Sequence, residues 1–339
     1  MKISERKKEH LEICLNNKVE GNNFFDDVIL VYNALPDFDF EDINTKTEFL
    51  GKGLKIPLII SAITGGTEEA KKINKTLAKV AEKKKIGFAL GSQRAMIENK
   101  RLSETYFVRD VAPSILLFGN IGISNLHEIK IKEIKKAMEE IKADALFVHL
   151  NSAQEITQRE GNTNFKNSVQ NLKKLVKNLN YPVVAKEVGQ GICRETGEIL
   201  KKCGIRAIDV AGVGGTNWMK VEKLRGGKIA DHLLNFGIPT TCSLLELKDL
   251  GIDLISSGGI RTGLDIAKSI ALGAKICGIA LPFLKIYKKE GEEGILKYID
   301  ELENELKTVM FLVGARNLRE LKNCRYILRG VTKNWAEQI

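Results

Sequence analysis

Short apolar runs recur along this chain, and nearly all of them end in glycine or a polar side chain. Eight stand out: Leu58–Ala62, Gly87–Leu90, Ile115–Phe118, Ala145–Val148, Val183–Lys186, Ala207–Val210, Leu254–Ser257 and Ile276–Ile279. They are close to continuously apolar and lack the strict alternation of a half-exposed strand, so they predict parallel strands buried on both faces. The segments between them carry helical spacing. Ile129, Ile131, Ile134, Ala137 and Ile141 fall largely on one stripe, and Leu172, Leu175, Val176 and Leu179 repeat the pattern in the next unit.

Alternating strands and helices form either an open doubly wound sheet or a closed barrel. Eight strands favour the (β/α)8 TIM barrel, and so does the polar residue at almost every strand end, where barrel enzymes carry their chemistry. An open sheet predicts its glycine fingerprint near the first strand; here the strongest follows the seventh. Residues 1–57 read as an N-terminal extension packing on the barrel, with a charged amphipathic helix over Lys2–Leu15 and an irregular or extended stretch over Phe24–Ala34. Residues 58–339 read as the barrel, closed by C-terminal helices over Gly294–Phe311 and Asn317–Arg325, in a single domain overall.

Composition narrows the setting. The chain has 339 residues, a net charge of +10 and six cysteines without a C-x-x-C pair. That usage indicates reduced thiols in a cytoplasmic protein. No stretch reaches the ~20 apolar residues of a membrane span. The lysines are spread over helices such as Lys71–Lys85 without interleaved aromatics, which reads as a solvated surface and argues against a nucleic-acid partner. A basic surface still attracts an anionic small substrate.

Candidate chemistry collects at the strand ends. Ser257-Gly258-Gly259-Ile260-Arg261 follows the seventh run and opens a helix at Gly263; Ala280-Leu281-Pro282 follows the eighth. Two such neighbouring loops form the recurrent phosphate site of this architecture. Thr64, Ser92, Asn120, Lys186 and Thr216 converge on the same mouth and suit a large polar heterocycle such as a flavin. His149-Leu150-Asn151-Ser152-Ala153-Gln154-Glu155 is the densest polar cluster. His149 and Asn151 are two apart and can point inward together. Gln154 and Glu155 then read as loop residues, and Glu155 suits Mg²⁺, which takes one or two carboxylates plus phosphate oxygens. Arg94 brings a phosphate-binding fork to the rim. Arg6, Lys7 and His10 read, on spacing alone, as a solvated helix face.

Taken together, the pieces Arg6-Lys7-x-x-His10, Thr64-Gly65-Gly66-Thr67, Gly91-Ser92-Gln93-Arg94, Asn120-Ile121-Gly122, His149-Leu150-Asn151-x-x-Gln154-Glu155, Lys186-Glu187-Val188-Gly189-x-Gly191, Gly214-Gly215-Thr216-x-Trp218 and Gly258-Gly259-Ile260-Arg261 resemble the flavin-dependent type 2 isopentenyl diphosphate isomerases, in family order from residue 6 to about 285. The resemblance implies FMN, reduced in the active form, held by Ala62, Ile63, Thr64, Ser92, Asn120, Lys186, Thr216, Gly258, Gly259, Ile260, Arg261, Ala280 and Leu281. It implies isopentenyl and dimethylallyl diphosphate bound by Arg6, Lys7, His10, Ser92, Arg94, His149, Asn151 and Gln154, with Mg²⁺ on Glu155 and Gln154 also the catalytic residue. It further implies NADPH or an external reductant and a homo-oligomer, tetramer or octamer, in which Arg6 and Lys7 serve their own barrel or a neighbour's.

Three rivals remain at this stage. A hydroxy-acid oxidase wants a histidine base with an arginine pair on the late strands, which here supply Arg261 without a histidine; His232 falls on a loop or helix. A purine-nucleotide dehydrogenase or reductase needs a nucleophilic cysteine. Cys242 is the one candidate, and no nearby base or glycine loop activates it. A basic binding module leaves the glycine loops and the His149–Glu155 cluster without a role.

Overall fold

A computed structural model describes residues 3–339. Eight parallel strands close into a barrel in sequence order: β1 Leu58–Ile60, β2 Gly87–Ala89, β3 Leu117–Gly122, β4 Ala145–Leu150, β5 Val183–Glu187, β6 Ala207–Asp209, β7 Asp253–Ser257 and β8 Ile276–Ile279. β8 pairs with β1 through Cys277↔Leu58 and Ile279↔Ile60, which seals the ring. All eight expected strands are present. β3 begins two residues later than the apolar run suggests and continues through Asn120 and Gly122, because Asn120–Gly122 pair with Phe147–His149 of β4.

The barrel interior is filled at its N-terminal end. Phe49 and Leu54, from a hairpin of residues 47–54, pack with Ile59, Phe118, Phe147, Val184 and Ile255 in a separate apolar cluster. Phe118 and Phe147 stack with ring centroids 4.3 Å apart. This apolar base leaves the C-terminal end open for polar groups.

The helices follow from their local sequence. In Glu68–Lys84, the Thr67 side chain accepts from Ala70 N, two glutamates occupy the first turn and Lys83 and Lys84 the last, as the helix dipole favours. Its Ile73, Leu77 and Val80 are buried against the barrel. Gly263–Ala271 is capped by Thr262, with Asp265 completing a capping box.

The flanking segments differ from expectation in their bounds. Ile3–Asn16 is helical, while Lys2, the first residue of the expected helix, lies outside the described residues. Val28–Leu30 is a short strand pairing antiparallel with Tyr326–Leu328, and Lys268 Nζ donates to Phe25 O at 2.9 Å. The expected helix over Gly294–Phe311 is part of a longer one, Leu281–Leu312, kinked where Gly291 takes φ 66°. The last expected helix shrinks to Leu318–Lys322, and a helix over Gly330–Ala336 follows it. Among the described residues no helix is long and apolar enough to cross a membrane.

Candidate active site

One cavity of about 260 Å³ opens at the C-terminal ends of the strands. Every residue that the family resemblance assigns to cofactor, substrate or metal lines it except Ile260, whose side chain is buried in the core. The cavity joins the turns after β7 and β8 to the cluster after β4 and to one face of the N-terminal helix.

The turn after β7 is shaped for backbone approach. Gly258 and Gly259 take φ of 101° and 100°, where a side chain is strained. A Cβ on Gly215 would lie 2.9 Å from Gly258 Cα, so the loops after β6 and β7 touch backbone to backbone. Among the described residues the N–H groups of Gly258, Gly259 and Ile260 have no acceptor. Ser61 Oγ and Thr64 Oγ1 are likewise buried without partners. Inside the mouth, Lys186 Nζ lies 3.1 Å from the carboxylate of fully buried Asp209, whose other oxygen accepts from Ser257 Oγ at 2.5 Å. Unspent N–H groups for a phosphate, orphaned hydroxyls and a buried cation for a polar ring fit FMN.

Opposite lies a second polar set. His149 Nδ1 contacts Asn120 Oδ1 at 2.7 Å. Burial, reinforced by the charges of Lys186 and Arg6, pushes the His149 imidazole down to about 4. The neutral ring then donates from Nδ1 and presents a lone pair at Nε2. Gln154 and Glu155 lie on a short helix, Ser152–Thr157, and not on a loop as expected. Asn151 precedes that helix; its Nδ2 donates to Glu155 Oε1 at 3.0 Å, and Asn162 N donates to Glu155 Oε2 at 2.7 Å. Among the described residues no group of three or more His, Cys, Asp or Glu side chains could hold a metal ion. Glu155 is thus a single carboxylate, suited to a cation that draws its other ligands from substrate and water. Arg94 reaches the rim and pairs with Glu98 at 2.6 Å.

The N-terminal helix is not the solvated face that its spacing suggests. Arg6, Lys7, His10, Leu11 and Cys14 all face the cavity. Lys7 Nζ donates to Tyr106 Oη at 2.7 Å, and that hydroxyl donates to Ser92 O at 2.8 Å. Burial, then the adjacent Arg6, pushes the Lys7 ammonium down to about 7. His10 stacks edge-on against Trp218 with centroids 5.0 Å apart, and its Nε2 lies 2.8 Å from Glu222 Oε1.

Sequence reasoning missed Glu222, Arg225, Tyr106 and Gln158. Glu222 is wholly buried and also accepts from Gln154 Nε2 at 3.0 Å and Arg225 Nη1 at 2.5 Å. Burial alone raises a carboxyl pKa; hydrogen bonds from His10, Gln154 and Arg225 outweigh it and hold Glu222 below its usual range. With its amide turned to suit its neighbours, Gln158 donates to Glu222 at 3.0 Å and accepts from Arg6 at 3.2 Å. The one available signal was the spacing of Glu222 and Arg225, i and i+3 on a helix. Cys242 lies buried in the helix Thr240–Leu247, where burial raises its thiol to about 11, so no activated nucleophile stands there.

Fold and cavity define an FMN-binding β/α barrel. Residues 120–327 match the family model described as FMN-dependent dehydrogenase. A mutant flavocytochrome b2 with pyruvate bound shares the fold at a TM-score of 0.70 and 19% identity, covering 94% of this chain and 82% of that one. A mutant mandelate oxidase with an FMN monooxide adduct does so at 0.64 and 14%, covering 95% and 92%. Among sequence relatives, the isopentenyl-diphosphate delta-isomerase of Pyrococcus furiosus is 42% identical, covering 98% of this chain and 89% of its own. That of Methanocaldococcus jannaschii is 44% identical, covering 99% and 97%. The chain belongs to the type 2, FMN-dependent isopentenyl-diphosphate delta-isomerases.

Proposed function

We propose that this enzyme interconverts isopentenyl and dimethylallyl diphosphate by a 1,3-allylic proton shift, with reduced FMN and Mg²⁺. One carbon of the alkene gains a proton, another loses one and the double bond moves between them, with no net redox change. The observation that carries the reading is the single cavity shared by the Gly258–Arg261 turn and the His149–Glu155 cluster.

FMN would be held by Thr64, Ser92, Asn120, Lys186, Thr216 and the turns at Gly258–Arg261 and Ala280–Leu281; when bound and reduced, it supplies an electron-rich ring and a titrating nitrogen beside the alkene. Arg6, Lys7, Arg94, His149 and Asn151 bind the diphosphate, and Glu155 holds Mg²⁺ against it. Those contacts lie away from the reacting carbons, so their binding energy fixes the hydrocarbon end in place. Gln154 has no usable pKa and cannot be the primary acid. Its N–H is committed to Glu222, which orients the amide and suits it to relaying or positioning the proton. NADPH or an external reductant, a homo-oligomeric assembly and a cytoplasmic setting complete the proposal.

Protein loaded with FMN and Mg²⁺ and reduced with dithionite is expected to interconvert the two diphosphates. A flavin-bound, fully reduced preparation that converts neither overturns the reading.

A further inference from the structure

Three segments of the chain meet at Arg225. Its side chain is 1% exposed, yet three carboxylates from three separate segments surround it: Glu222 on its own helix at 2.5 Å, Glu9 of the N-terminal helix at 2.9 Å, and Glu160 of the loop after the Ser152–Thr157 helix at 2.9 Å. Arg6 lies 3.9 Å from the same Glu160 oxygen. A guanidinium offers five donors in a rigid plane, so it spans three separated carboxylates more readily than the compact ammonium of a lysine. Of these groups only Arg6 lines the cavity.

Resting on the reading above, we propose that Arg225 is a positioning residue that holds the Glu222 carboxylate against His10 and Gln154 and, through Glu9 and Glu160, clamps the N-terminal helix and its diphosphate grips over the cavity. The two roles are separable. Glu222 Oε1 meets His10, Gln154 and Gln158, and its Oε2 meets Arg225. Removing the guanidinium leaves a buried carboxylate without its nearest fixed cation, which raises the pH at which it protonates. Losing the Glu9 contact alone loosens the helix and leaves the carboxylate in place.

The test is a pH profile of kcat/KM and a KM–kcat split for reduced, FMN-loaded R225Q, R225K and E9Q beside wild type, with FMN content read from absorbance. R225Q is expected to move the acid limb upward by about 1–3 pH units, the effect of an adjacent opposite charge, and to raise KM. R225K is expected to move it in the same direction by less, because the ammonium keeps the positive charge but loses the planar fork. E9Q is expected to raise KM several-fold with the acid limb unmoved. An acid limb unchanged in a folded, FMN-bound R225Q overturns the proposal; if R225Q does not fold, an unchanged limb in R225K does so. A wild-type enzyme without isomerase activity defeats the proposed function instead, so the two failures are distinct.

Discussion

Gln154 Nε2 donates to Glu222 Oε1 at 3.0 Å, and that same oxygen lies 2.8 Å from His10 Nε2. One buried carboxylate oxygen thus ties the helix after β4 to the N-terminal helix across the mouth of the cavity.

This linkage makes Gln154 and Glu222 separable from cofactor binding. Gln154→Ala and Glu222→Gln are expected to lower kcat by roughly 10²–10⁴-fold, the range of a positioned proton-transfer group, with FMN affinity changed little. Turnover beside a flavin titration checks this; a parallel loss of FMN would return both residues to a structural role.

Proton coupling follows from Lys7. Its ammonium titrates near 7 because burial and Arg6 disfavour the charge. The protonated form binds a diphosphate, so affinity should fall as pH rises through about 7, and binding should draw in a proton. Calorimetry with inorganic pyrophosphate and Mg²⁺ in buffers of different ionisation enthalpy reads the proton count directly; Lys7→Arg should remove the limb near 7.

Glu155 carries the metal in the proposed site. Glu155→Gln is expected to weaken Mg²⁺ affinity by at least about 10–100-fold, the loss that removing even an outer-shell partner of a metal ligand causes. Chelation with EDTA should stop turnover while leaving the flavin bound. Activity that survives both would move the metal elsewhere.

The turn after β7 has no room for a side chain. A Cβ at Gly258 would lie 2.7 Å from Thr240 Oγ1 with φ at 101°. Gly258→Ala is expected to cost about 1–3 kcal/mol of stability and to reduce FMN affinity, measurable by thermal melting of the apoprotein and by flavin titration.

The eight strands were legible because burial on both faces demands continuous apolar runs, and the glycine turns because positive φ is costly for other residues. The strand-end motifs then located the mouth. The flanking segments were less legible: Val28–Leu30 gains its partner from Tyr326–Leu328, about 300 residues away, which no local pattern encodes.

The sequence by itself determined the barrel, the phosphate-type turns and the family motifs, since each rests on backbone preference or on residues close in the chain. Residue spacing left Arg6, Lys7 and His10 on a solvated face and only the family resemblance gave them to the substrate; tertiary structure alone decided that Tyr106 receives Lys7 and that Glu222 and Arg225 stand behind Gln154. A charged helix face looks solvated until another element buries it, and a buried ion pair is defined by partners that only folding brings together.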